Sequence, residues 1–214
     1  LRPDPQGRRK VIVATNIAET SLTIDGVRIV VDAGLERRQR FDPATGMGRL
    51  ESLRISRASA DQRRGRAGRT ATGVCYRLWS ESAHAALLPQ APAEILEGDL
   101  APLALELACW GAQDATALAW LDPPPAATLA QASDLLLRLE AIEASGRVTA
   151  LGREMAALGA HPRLAHLMLR ATSLGHSRLG CEIAGVLSER DPLRGNAGAP
   201  DPDVRIRIDA LRGQ

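Results

Sequence analysis

Cysteine is scarce in this chain. Cys75, Cys109 and Cys181 are odd in number and far apart, with no C-x-x-C pair. That excludes a disulfide framework and a cysteine zinc site, and it favours a reducing compartment, the cytoplasm. Aromatic residues make up only 2% of the chain, too few for stacking platforms, so any grip on a polymer has to come from other side chains. No apolar run approaches the roughly 20 residues that span a bilayer, and no membrane association is expected. The opening LRPDPQGRRK places no apolar stretch behind its basic residues as a secretory signal would, so a leader is not expected in it. It runs abruptly into a strand-like segment, which is expected of a chain that begins inside a larger protein. His84, His161, His166 and His176 form no ligand pattern and no metal site is expected; His161, just before Pro162, reads as a helix-start residue. Lysine is nearly missing too: Lys10 is the only one among 27 basic residues. Arginine counts therefore carry little information and arginine spacing carries more.

What is present is enough for a sizeable core. The 214 residues, 45% hydrophobic and 24% charged, fit one large domain or two smaller ones. The net charge of +2 does not make the whole molecule a magnet for polyanions, so the local clustering of charge matters. Lys10–Ala14 and Val27–Asp32 are β-branched runs that read as strands buried on both faces. The polar loop between them, TNIAETSLTIDG, leaves the carboxyl end of the first, where open parallel sheets bind ligands. LERRQRF and RLESLRI, joined by DPATGMG, read as an arginine-rich hairpin, and Gly73–Leu78 as a last strand. From Pro89 the chain turns helical. Leu100, Leu103, Leu107 and Trp110 form one apolar stripe, and Leu135, Leu139 and Ile142 another, with DPPP at 122–125 between them. Arg147–Thr149 suits the short strand of a wing, and VRIRIDALRGQ starts a last helix.

SADQRRGRAGRT, residues 59–70, holds four arginines. The guanidinium fork donates two parallel hydrogen bonds and stays charged at any accessible pH, which suits phosphate. If a helix begins at Ser59, the spacing of three puts Arg66 and Arg69 on one face, aimed at one polyphosphate.

Two long segments in order, ATNIAETSLTIDGV (Ala14 to Val27) and QRRGRAGRT (Gln62 to Thr70), resemble motifs V and VI of the DEAH-box (DEAH/RHA) RNA helicases. The hairpin between them, the DPPP segment and LGREMAALGAHPRLAHLML also look like this family, in its bacterial HrpB-type branch, over essentially the whole chain. The resemblance implies an α/β fold: part of a RecA-like domain, with a parallel sheet and a projecting β-hairpin. Mostly α winged-helix and helical-bundle regions then follow. The implied domains are the second RecA-like domain over 1–90, a winged helix over 91–150 and a ratchet bundle over 151–214. Gln62, Arg66 and Arg69 would face the nucleotide, the arginines as fingers and Gln62 beside the attacking water. Ser21 would sense the γ-phosphate and Asp25 would hold the nucleotide or finger network. Thr15, Asn16 and Thr23 would lie on the RNA backbone, and Arg37, Arg38 and Arg40 would form a wedge where bases unstack. Charge on this hairpin also reads as a guard against edge pairing.

The implied activity is ATP hydrolysis coupled to movement along, and unwinding of, single-stranded or duplex RNA, with ATP and Mg²⁺ required. No G-x-x-x-x-G-K-[ST] and no D-E-A-H occurs. The phosphate cradle and the Mg²⁺ carboxylates are therefore expected in a first RecA-like domain of the same chain, before Leu1, and the fragment alone is expected to be inactive. The competing reading is a winged-helix module that binds nucleic acid without catalysis. Against it, Leu129–Ala144 carries only Arg138 among several acidic residues, a poor phosphate partner.

Overall fold

The computed structural model describes residues 6–20, 26–42, 46–69, 71–112, 114–189, 191–193 and 201–213. The chain folds as two compact units, Leu1–Gly98 and Asp99–Gln214. In chain order the first contains helix α1 (Ile17–Thr20), strands β1 (Ile29–Asp32), β2 (Leu35–Asp42) and β3 (Met47–Arg54), helix α2 (Arg57–Arg64), strand β4 (Val74–Arg77), and helices α3 (Glu81–Ala85) and α4 (Glu94–Glu97).

The β-branched runs at 29–31 and 74 pair in parallel, Ile29 opposite Val74 through Asp32 opposite Arg77. A parallel pair needs a long crossover, and here the hairpin and α2 supply it. Side chains alternate faces with a period of two. Asp32 and Arg77 lie on the face that α2 covers, bonded there to Arg63 and Asp61. Ile29, Val31, Val74 and Tyr76 occupy the other face and are more than half or half exposed. The expectation that this strand is buried on both faces is thus corrected: among the described residues of the unit a layer covers one side only. The expected strand Lys10–Ala14 is corrected as well. It joins no ladder, and Val11 and Val13 are 90% and 95% exposed. β-propensity becomes a strand only where an edge accepts it, and neither two-stranded sheet does.

The hairpin forms as the alternation predicts, Leu35 opposite Arg54 through Asp42 opposite Met47. Its root is fixed by Gly34, whose φ of 72° favours glycine. A Cβ there would sit 2.8 Å from Trp79 Cε3. The Gly34 amide donates to Asp32 Oδ1 (2.9 Å), and Ile55 N donates to the Gly34 carbonyl (3.2 Å). The unit continues past the composition change at Pro89 to Gly98. The first amides of α2 reach back to it, Arg57 N to Leu88 O and Ala58 N to Pro89 O, and Glu97 pairs with Arg38.

The second unit is helical: α5 (Ala101–Trp110), a 3-10 turn at Ala115–Ala117, then α6 (Ala126–Arg138), α7 (Ala150–Ala157), α8 (Pro162–Ser173), α9 (Ser177–Ser188) and α10 (Val204–Leu211). Leu105, Leu107, Leu136, Met155 and Ala165 are buried in its core. Trp110, expected in the core stripe, is 77% exposed. It is the last residue of α5, ahead of left-handed Gly111 (φ 84°); Leu100 and Leu107 of the predicted stripe are buried, together with Ala101, Ala104 and Leu105. Pro125 caps α6. The wing segment is one antiparallel bridge, Ile142 with Val148.

His161 occupies the N-cap of α8, as its place before Pro162 suggests. Its Nδ1 accepts from the Arg163 amide (3.2 Å), so the proton on Nε2 faces Asp99 Oδ2 at 2.8 Å. Asp99 Oδ1 accepts from Ala101 N (2.8 Å), so one carboxylate ties the starts of α5 and α8 together. Burial raises the Asp99 pKa, but the His161 and Ala101 hydrogen bonds outweigh it and hold the carboxyl below the ordinary 3.8. A depressed carboxyl pKa gives stability that is present above the unfolded value and lost as pH falls through the folded one. Replacing the charged acceptor by a neutral one in Asp99→Asn is therefore expected to lower stability by about 1 kcal/mol at pH 6 and to flatten the loss below about pH 4. Melting curves between pH 6 and 3 check this, and acid limbs of equal slope would exclude the role.

Candidate functional site

Ser56 caps α2, its Oγ accepting from Ser59 N at 3.1 Å, so the helix begins at Arg57, two residues before the predicted Ser59. Ala60 is fully buried beneath it. Asp61 pairs with Arg77 of β4 at 2.8 Å. Arg63, in the last turn, reaches three other elements of the unit. Its Nε donates to Glu19 Oε1 (2.7 Å), a second guanidinium nitrogen lies 2.6 Å from the same oxygen, and the third reaches Asp32 Oδ1 (2.9 Å) and the Leu35 carbonyl (3.0 Å). Ser59 Oγ, one turn earlier, donates to Glu19 Oε2 at 2.5 Å. Burial lowers the Arg63 pKa, but the Glu19 and Asp32 carboxylates more than offset that and raise it overall. Asp32 is buried and keeps its other oxygen, Oδ2, without a hydrogen-bond partner among the described residues. Sequence reasoning concentrated on Arg66 and Arg69 and assigned Arg63, Glu19 and Asp32 no part. The signal was there in the spacing of four between Ser59 and Arg63, which puts both on one helical face.

Helix α2 ends at Arg64, so Gln62 lies on it while Arg66 and Arg69 lie beyond it. Their shared helical face is not formed. Gly65 and Gly68 each disfavour helix by about 1 kcal/mol relative to alanine, and the chain turns instead, Arg66 N to Arg63 O (3.1 Å) and Ala67 N to Arg64 O (3.0 Å). Ala67 is buried, and its carbonyl lies where a Cβ on Gly73 would have to go. Gln62 and Arg69 are exposed and Arg66 half-buried. Thr15 and Asn16 are exposed just before α1, their carbonyls accepting from Ala18 N and Glu19 N. Ser21, Thr23 and Asp25 lie outside the described residues.

On the hairpin, Arg38 is committed to Glu36 (2.6 Å) and Glu97 (3.3 Å). Arg40, on the same face, is 3.6 Å from Glu51 yet 62% exposed. Arg37 is exposed on the opposite face.

Three comparisons bear on this arrangement. Residues 2–71 match the family described as "Helicase conserved C-terminal domain". The chain is 46% identical over 197 residues to the ATP-dependent RNA helicase HrpB of Escherichia coli (strain K12), covering 92% of this chain and 24% of that protein. It is 44% identical over 189 residues to the pre-mRNA-splicing factor ATP-dependent RNA helicase prp22 of Schizosaccharomyces pombe, 88% of this chain and 16% of that one. Two crystal structures of E. coli HrpB, one described as a DExH-box NTPase and the other as a DEAH/RHA helicase, superpose with TM-scores of 0.79 and 0.83 at 43% and 42% identity. They cover 99% of this chain and 27% and 28% of theirs. The chain belongs to the DEAH/RHA helicase family. Within that family it is of the bacterial HrpB type, and its fold is the closing part of a RecA-like domain followed by helical regions. It spans about a quarter of the length of HrpB. No helix among the described residues is long and apolar enough to cross a membrane.

Proposed function

We propose that the chain is the finger-bearing part of an ATP-dependent RNA helicase motor. In this reading Arg66 and Arg69 donate forked hydrogen bonds to the terminal phosphate of an ATP whose other side is cradled by a first RecA-like domain. Gln62 orients the attacking water, and Ser21 and Asp25 complete the nucleotide side. Thr15, Asn16 and Thr23 hold the RNA backbone. Hydrolysis removes the anion that draws the arginines across the cleft, the two domains part, and repeated closure against a gripped strand moves it. The domain assignment is a RecA-like part over 1–90, a winged helix over 91–150 and a ratchet bundle over 151–214.

The observation that carries this reading is the cluster on Arg63. It holds the segment after Thr15 and Asn16 against the root of the finger turn, so RNA-facing and nucleotide-facing residues share one rigid base. The uncovered apolar face of β1 and β4 also supports it, because an exposed patch of this kind marks a surface made for packing. The Mg²⁺ that accompanies ATP is assigned to carboxylates of the first RecA-like domain. Of the three predicted hairpin arginines, Arg37 and Arg40 have exposure suited to phosphate, while Arg38 serves the fold through Glu36 and Glu97.

The isolated chain is expected to release no phosphate above a blank and to bind single-stranded RNA weakly, with affinity falling as salt rises. Arg37→Glu with Arg40→Glu should reduce the slope of log affinity against log salt by about 1.4, two phosphate contacts at about 0.7 each. Arg38→Glu should instead lower the melting temperature. Phosphate release by the pure chain, or an unchanged salt slope, contradicts the reading.

A further inference from the structure

The two ends of the proposed motor, RNA contact and nucleotide contact, have to communicate, and one side chain joins the elements that carry them. Helix α1 follows directly on Thr15 and Asn16 and bears Glu19. Strand β1 ends on Asp32, and β2, the first hairpin strand, starts at Leu35. Helix α2 ends one residue before the turn that carries Arg66. The Arg63 guanidinium bonds to all three of the other elements, at 2.7 Å to Glu19, 2.9 Å to Asp32 and 3.0 Å to the Leu35 carbonyl.

We propose that Arg63 is a positioning residue, a latch that transmits displacement of the RNA-facing segment at α1 to the finger turn after α2. This rests on the helicase reading above.

The geometry favours transmission over simple bracing. Arg63, Glu19 and Asp32 side chains are 16%, 13% and 1% exposed, so water does not screen the contacts. Glu19 is held twice from α2, by Arg63 and by Ser59 through its second oxygen, which fixes the rotation of its carboxylate as well as its distance. A shift of α1 therefore pulls on two successive turns of α2. Beyond Arg63 the backbone goes straight into the i to i+3 turns at Arg66 and Ala67, where no helical ladder absorbs the movement. Asp32 and the Leu35 carbonyl anchor the third nitrogen to the sheet and the hairpin root, giving the latch a fixed pivot. Lysine cannot replace this fork, because a single ammonium does not span three acceptors in one plane.

The test uses the longer protein that contains this chain together with a nucleotide-cradling domain. The readout is the ratio of ATP hydrolysis at saturating single-stranded RNA to hydrolysis without RNA. Arg63→Lys and Glu19→Gln are each expected to lower that ratio about tenfold, a coupling of ordinary allosteric size. The double variant should be no worse than either single one, because one link is cut in all three. KM for ATP should stay within about twofold, since neither residue faces the nucleotide. A merely structural role would reduce hydrolysis with and without RNA in proportion and leave the ratio unchanged, and that result overturns the latch. Losses that multiply in the double variant overturn it as well. If Arg63→Lys melts below the assay temperature, Glu19→Gln alone decides, by the same ratio. A wild-type protein whose hydrolysis does not respond to RNA overturns the helicase reading, and the latch with it. Full response in the wild type and in both variants overturns the latch alone.

Discussion

Arg69→Ala, in the longer protein, is expected to reduce RNA-stimulated ATP hydrolysis by about 10³-fold or more, the size measured for arginine fingers in phosphoryl transfer. Arg69 is exposed, and substitutions at such positions usually change stability by less than about 0.5 kcal/mol, so the melting temperature should barely move. Arg69→Lys separates two explanations. If charge alone matters it should recover most of the activity; if the planar fork matters it should recover little, and the fork is what the proposed phosphate contact uses. Arg66, half-buried at the start of the same turn, is expected to show the same catalytic loss with some loss of stability added. Phosphate release by Arg69→Ala within tenfold of wild type would remove the finger assignment.

Gly73→Ala is expected to damage both stability and activity through a residue with no chemistry of its own. A Cβ at this position would overlap the carbonyl of Ala67, and backbone yields less readily than the tip of a side chain. Overpacking of this kind costs about 1–3 kcal/mol. Ala67 lies one residue after Arg66, so relief of the clash displaces the finger turn, and a misplacement of about 1 Å can cost roughly 10²-fold in rate. Gly68→Ala supplies the control within the same turn. Nothing lies within 4 Å of a Cβ there, and removing glycine reduces the entropy of the unfolded chain, so stability should hold or rise by about 0.4–1 kcal/mol. Thermal melts of the chain compare the two, and equal effects would show that the Ala67 carbonyl is not what restricts position 73.

The hairpin was legible because its information is local. Alternating residues and a turn sequence specify a register that needs no distant partner, and Leu35 to Arg54 folded as read. Val11 and Val13 misled for the opposite reason: their β-branched side chains announce a strand, but a strand needs an edge to join. Trp110 misled by its periodicity, which places a residue on a helical face without saying where the packed layer ends. The helix at 59 and beyond was legible, but its end was not, because Gly65 and Gly68 weighed less in a spacing argument than in the backbone.

At the site, the sequence by itself determined the chemistry on offer: forks of arginine spaced by glycines, a polar loop that precedes them, and a family likeness carried by both. Those features depend on neighbours in the chain. Only the tertiary structure decided which arginine does what. Arg63 finds Glu19 and Asp32 across separations of 44 and 31 residues, and Arg38 finds Glu97 across 59. A guanidinium is committed or available according to which carboxylates folding brings within hydrogen-bond reach, and no spacing along the chain encodes that proximity.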